Sequence, residues 1–155
     1  MDIRFALEGD APFIIDLLGQ VLKLHNAGRP DLFRERGGKY DLQNILDMIA
    51  DAERPVFIAQ ADGVCLGYAL CAIRRRRGHP VFWDRDTLYI DDLCVDENHR
   101  GGGVGAALME HCKSYAREIG CASIELNVWD CNQSATRFYE RQGFKMLARI
   151  MELGV

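Results

Sequence analysis

The residues with the clearest chemical potential form one short run. Asn98-His99-Arg100-Gly101-Gly102-Gly103-Val104-Gly105-Ala106 leads directly into a segment of helical periodicity that ends at Gly120. Glycines ahead of a helix leave successive backbone N–H groups unshielded, and the positive end of the helix dipole adds to them. Such a turn suits a phosphate or pyrophosphate that approaches the backbone closely, with Arg100 supplying a fixed positive charge at its mouth. A tight strand-to-helix turn needs small residues too, but each extra glycine at a helix start costs about 1 kcal/mol relative to alanine. No Lys-Ser or Lys-Thr follows the glycines, which excludes a Walker A loop. Gly101-x-Gly103-x-x-Ala106, with Glu125 further on, also fits a dinucleotide fingerprint. That fingerprint places its first glycine at the strand end, whereas Asp96 to Arg100 intervene here, so a nicotinamide dinucleotide is the weaker alternative.

A second feature is the pair Asp91-Asp92 inside a segment otherwise rich in Leu, Ile and Val. Carboxylates in such company are costly to bury and call for a reason. Alternation puts Asp91 on the face of Leu93 and Val95 and Asp92 on the other, unless a bulge shifts the count.

The elements that must position these groups follow from the period of the apolar residues. Ile3 to Leu7 alternates as a short strand, and Asp10 is placed to cap a helix carrying Ile14, Leu17, Leu18, Val21 and Leu22. A polar segment from Gly28 to Lys39 leads to a second helix with Leu42, Ile45, Leu46 and Ile49. Strands are expected at Val56–Ala59, Gly67–Ile73, Leu88–Val95 and Ile124–Val128, and helices at Gly103–Ile119 and Asn132–Gln142. Phe144 to Leu153 reads as one strand or a short hairpin. The order βααβββαβαβ describes an α/β domain with a mixed central sheet.

Arg100-x-x-Gly103-x-Gly105, preceded by Leu93-x-Val95, resembles the acetyl-coenzyme A motif of the GNAT superfamily of N-acetyltransferases. Asn132-x-x-Ala135-x-x-Phe138-Tyr139-x-x-x-Gly143-Phe144 is similar to that superfamily's last helix, and the element order matches along the whole chain. The resemblance implies a GNAT fold, with helices on both faces of the sheet, over a single domain of residues 1–155. It implies that acetyl-CoA binds along Leu93, Cys94 and Val95, with its pyrophosphate on Arg100, Gly101, Gly102, Gly103, Val104, Gly105 and Ala106. Asn132 and Ala135 would flank the pantetheine arm, and Tyr139 would point its hydroxyl at the thioester sulfur. Direct attack by a neutral amine then needs a proton acceptor and a proton donor to the leaving thiolate. Tyr139 is the implied donor. Asp91 matches an acidic position of related small-amine acetyltransferases, with Asp92 or a water chain as alternatives.

In this fold the loop after the first helix covers the acceptor, which brings His25 and Arg29 forward as substrate contacts, with Asp92, and Asn127 and Trp129 at the end of the strand after the glycines, as further candidates. A histidine and an arginine there suit an acceptor bearing a carboxylate or phosphate beside its amine, and they equally suit a helix C-terminus. The expected activity is acetyl transfer to a primary amine of a small molecule, amino acid or peptide. The alternative within the same fold is a non-catalytic acyl-CoA-binding module.

Composition narrows the rest. The 155 residues are 48% hydrophobic and 27% charged, with a net charge of −4, which bounds one folded domain and excludes a disordered chain. The acidic balance points away from nucleic acid, and Arg74-Arg75-Arg76-Arg77 reads as a solvated hairpin loop. No apolar run is long enough for a membrane span, and Asp2, Arg4, Glu8 and Asp10 interrupt any secretory leader. The six cysteines form no Cys-x-x-Cys pair and do not cluster with the four histidines, so no metal is expected, and reduced thiols suggest the cytoplasm. The short C-terminal segment leaves a sheet edge to cover, from which a homodimer is expected.

Overall fold

The computed structural model describes residues 1–155. Five strands, β1 (Asp2–Phe5), β2 (Val56–Ala61), β3 (Val64–Arg76), β4 (Arg85–Val95) and β5 (Ser123–Leu126), form one sheet in sequence order. The first four are antiparallel neighbours, and β5 joins β4 in parallel. Helices α1 (Ala11–Gly28) and α2 (Leu42–Ala50) precede β2, α3 (Val104–Glu118) follows β4, and α4 (Gln133–Arg141) follows β5.

Both faces of the sheet are covered, which explains why β2 buries Val56, Phe57, Ile58 and Ala59 in succession. Ile58, Tyr68 and Leu70 pack against Ile14, Leu17, Leu18, Ile45 and Met48 of α1 and α2. Phe57, Ala69, Cys71, Leu88 and Ile90 pack against Val104, Leu108, Met109, Cys112 and Ala116, the inward stripe of α3. Gly67 lets β3 pass close to β4, since a Cβ there would lie 2.6 Å from the Cys94 carbonyl oxygen.

Several sequence expectations change. The strand expected within Phe144–Leu153 does not form: residues 144–155 carry no regular structure, so the order ends βαβα. Met146 and Ile150 fall on one parity and Leu147, Met151 and Leu153 on the other, so the segment has no single apolar face for a sheet. Asp10 does not cap α1 with its side chain. Its carboxylate instead accepts two bonds from Arg4, at 2.7 and 2.9 Å, and one from the Leu7 N–H at 2.7 Å. Arg74, Arg75 and Arg76 belong to β3 rather than to a hairpin loop. Arg75 bridges Glu53 and Asp86, Arg77 pairs with Asp86, and the Arg74 guanidinium stacks on Tyr89. All six cysteines are unpaired, and Cys71, Cys94 and Cys112 are buried.

Candidate active site

Two breaks in the sheet create the site. The parallel pairing of β4 with β5 stops at Ile90↔Leu126, so residues 91–95 have no strand partner on the β5 side. A strand edge opened in this way presents backbone donors and acceptors to whatever enters the gap. The second break is a bulge: Cys71 faces Ile90 and Leu70 faces Asp92, leaving Asp91 unpaired opposite β3.

The bulge corrects the expected placement of the carboxylates. Asp91 does not share the face of Leu93 and Val95, which pack toward α3. Its Oδ2 accepts from Lys39 Nζ at 2.9 Å and from Tyr40 Oη at 2.7 Å, both at the end of the α1–α2 loop. Asp92 is bonded instead to Tyr68, whose hydroxyl donates at 3.3 Å. Burial pushes the Asp92 carboxyl up to about 6, with Lys39 opposing the shift and Asp91 adding to it. A carboxyl poised there exchanges protons near neutrality. Lys39, Tyr40 and Tyr68 were not singled out in the sequence, because only the bulge brings them to the carboxylates.

At the far end of the opened edge, Gly101 and Gly103 adopt left-handed backbone, both at φ 82°, as the chain turns into α3. Gly103 is the N-cap and no side chain caps the helix, so the first N–H groups of α3 are left for a ligand. Arg100 folds back, its Nε donating to the Val95 carbonyl at 3.1 Å, which ties the loop to the strand end. Gly105 serves packing as well, since a Cβ there would meet the Phe138 ring at 3.4 Å.

Helix α4 closes the opposite wall. Asn132 caps it, accepting from the Ala135 N–H at 3.1 Å. The Tyr139 ring lies against Phe138 and Phe144, with centroids 5.2 and 5.7 Å away. Burial raises the Tyr139 hydroxyl well above the usual tyrosine range, and nearby Asp92 adds to the effect. The hydroxyl is therefore protonated at neutral pH.

These groups share one cavity of about 1110 Å³. Its lining includes Asp91, Asp92, Leu93, Cys94, Val95, Arg100, Gly101, Gly103, Val104, Gly105, Ala106, Asn132, Ala135 and Tyr139, and at the other end His25, Asn127 and Trp129. Two expected contacts fall outside. Gly102 does not line the cavity, and neither does Arg29, which is held by Asp31 at 2.7 Å and by Glu152 at 2.9 Å. His25, Phe33 and Trp129 instead form an aromatic corner, with Phe33 4.9 Å from each of the other two ring centroids. Burial lowers the His25 pKa, with Lys39 adding to the shift, so the ring is not a standing cation at neutral pH.

A long cleft that passes from an uncapped helix start, along an open strand edge, to a buried tyrosine fits one family. Residues 20–144 match the family model described as the acetyltransferase (GNAT) family. The chain belongs to it. Streptothricin acetyltransferase of Streptomyces lavendulae is 36% identical over 95 residues, covering 61% of this chain and 46% of that protein. Glucosamine 6-phosphate N-acetyltransferase of Trypanosoma brucei brucei is 31% identical over 157 residues, covering 99% of this chain and 95% of that one. The chain thus spans about half of the first relative and nearly all of the second. A crystal structure of a variant of the BH1408 protein from Bacillus halodurans superposes with a TM-score of 0.96 at 30% identity, over 100% of this chain and 99% of that one. This GNAT domain has one parallel strand pair, and that sets the dinucleotide alternative aside, because the dinucleotide fold rests on a mostly parallel sheet.

Proposed function

We propose that this GNAT domain is an acetyl-CoA-dependent N-acetyltransferase that acetylates a primary amine of a small molecule. The single observation behind this reading is the continuity of the cleft: the uncapped start of α3, the unpaired β4 edge, Tyr139 and Asp92 line one cavity. Acetyl-CoA supplies the activated acetyl thioester. The left-handed glycines and free N–H groups of α3 suit its pyrophosphate, and the backbone of residues 93–95 suits the amides of its pantetheine arm.

The protein's own part is to move two protons. The amine must be neutral to attack, and Asp92, through a direct contact or one water, accepts its proton as the C–N bond forms. As the C–S bond breaks, Tyr139 donates its hydroxyl proton to the sulfur and regains one from solvent. Asp91, held by Lys39 and Tyr40, fixes the bulge that aims Asp92 rather than taking the proton itself.

Relatives named for streptothricin, glucosamine 6-phosphate and blasticidin S support a small amine-bearing acceptor. Incubation with acetyl-CoA and a panel of amino sugars, amino acids and polyamines, read by mass spectrometry, should show an acetyl group added to at least one amine. A panel left unmodified while acetyl-CoA binds would favour a sensor module. A reducing, cytoplasmic setting goes with this reading, since all six thiols are unpaired. So does a homodimer, because β5 has no partner on its outer edge and Met146, Leu147, Ile150 and Met151 are exposed. Light scattering should give twice 17.5 kDa at micromolar concentration, and a monomer mass would count against the dimer.

A further inference from the structure

The acceptor half of the cavity is roofed by the loop between α1 and α2, and that loop sorts its charges. Arg34, Arg36 and Lys39 line the cavity, whereas Asp31 and Glu35 do not. Lys39 is committed to Asp91 at 2.9 Å, and Asp31 is committed to Arg29 outside the cavity. Arg34 and Arg36 form no ion pair or hydrogen bond with any side chain of the protein. In a chain of net charge −4, the only carboxylates on the cavity wall are Asp91 and Asp92, at the reacting end. A pocket for a polycation would show the opposite arrangement, with acids spread along the acceptor path.

We propose that Arg34 and Arg36 form an anion subsite, so that the acceptor carries a phosphate ester or carboxylate on the same molecule as its amine. The amine faces Asp92 and the anionic group meets the two guanidiniums. Guanidinium is suited to this role because its planar fork binds phosphate and carboxylate oxygens in pairs and keeps its charge at every working pH. The aromatic corner of His25, Phe33 and Trp129 covers the uncharged body of the acceptor between the two ends. Arg29, placed by the sequence at this site, has its charge already answered by Asp31 and Glu152 and takes no part.

This inference rests on the acetyltransferase reading, and its test separates the two. Initial rates of acetylation are measured for matched twins: glucosamine with glucosamine 6-phosphate, and an amino acid methyl ester with its free acid. The anionic twin of at least one pair should show a kcat/KM at least about tenfold higher, the scale of one charge-assisted contact. In Arg34→Gln/Arg36→Gln, KM for that anionic twin should rise by about tenfold or more, while the neutral twin and acetyl-CoA affinity stay within about twofold. The preference should also weaken as salt is raised. Which pair shows it distinguishes phosphate from carboxylate. Equal or better use of the neutral twins would overturn the subsite and leave the acetyltransferase reading standing, as would a variant that harms both twins equally. If no amine is acetylated at all, the acetyltransferase reading fails, and the subsite with it.

Discussion

The proposed division of the proton transfers between Tyr139 and Asp92 gives each residue its own signature. Tyr139→Phe removes one oxygen and keeps the ring against Phe138 and Phe144, so folding should be preserved. Turnover should fall by about 10²-fold or more, the usual worth of a positioned general acid, with acetyl-CoA affinity within a few-fold. Full turnover in a variant limited by chemistry would return Tyr139 to a packing role. Asp92 accepts a proton only in its carboxylate form, so kcat/KM should rise as pH passes through about 6. In Asp92→Asn that ascending limb should vanish, and part of the lost activity should return at high pH, where more of the amine is already neutral. Asp91→Asn should behave differently, weakening the hold of Lys39 and Tyr40 on the bulge and keeping an ascending limb, moved to lower pH because the Asp91 charge that helps raise Asp92 is gone. The sequence put Asp91 forward as the base with Asp92 as an alternative, and the bulge moves the proposal to Asp92. Strict alternation misplaces every residue beyond a bulge by one face, and nothing in Ile90-Asp91-Asp92-Leu93 marks where the extra residue sits.

Among the elements, the glycine turn into α3 carries the cofactor claim. Gly103→Val forces a β-branched residue into left-handed backbone at the mouth of the proposed anion site, where an added Cβ would meet nothing within 4 Å. Calorimetric titration should show acetyl-CoA affinity at least about tenfold weaker, while circular dichroism reports a retained fold; unchanged affinity in the folded variant would remove the turn from the site. This turn was legible from sequence because successive glycines ahead of a helix have few other uses. In the α1–α2 loop the sequence brought Arg29 forward, whereas Arg34, Arg36 and Lys39 stand out only because they line the cavity. The missing last strand has a similar origin, since apolar residues of both parities in residues 144–153 mimic strand composition without supplying a face.

For the whole molecule, the helical stripes and buried strands read from the sequence set the architecture, and the cleft is the place where regular pairing fails. Its stability should carry a mark at acid pH. Arg4 holds the Asp10 carboxyl below its ordinary value, joined by the Leu7 N–H, so this contribution is present above about pH 4 and is lost as pH falls through the folded value. Asp10→Asn should cost about 1–3 kcal/mol at pH 7 in denaturant titrations, and the gap should shrink below about pH 4. An undiminished gap at low pH would assign the loss to packing alone.

The central claim is that the amine attacks the thioester while both are held in one cleft. It is tested most directly by initial rates of coenzyme A thiol release across a grid of acetyl-CoA and amine concentrations. The account predicts release that requires the amine, with double-reciprocal lines that intersect because both substrates must be bound together. Thiol release independent of the amine, or parallel lines indicating an acetylated enzyme, would contradict it.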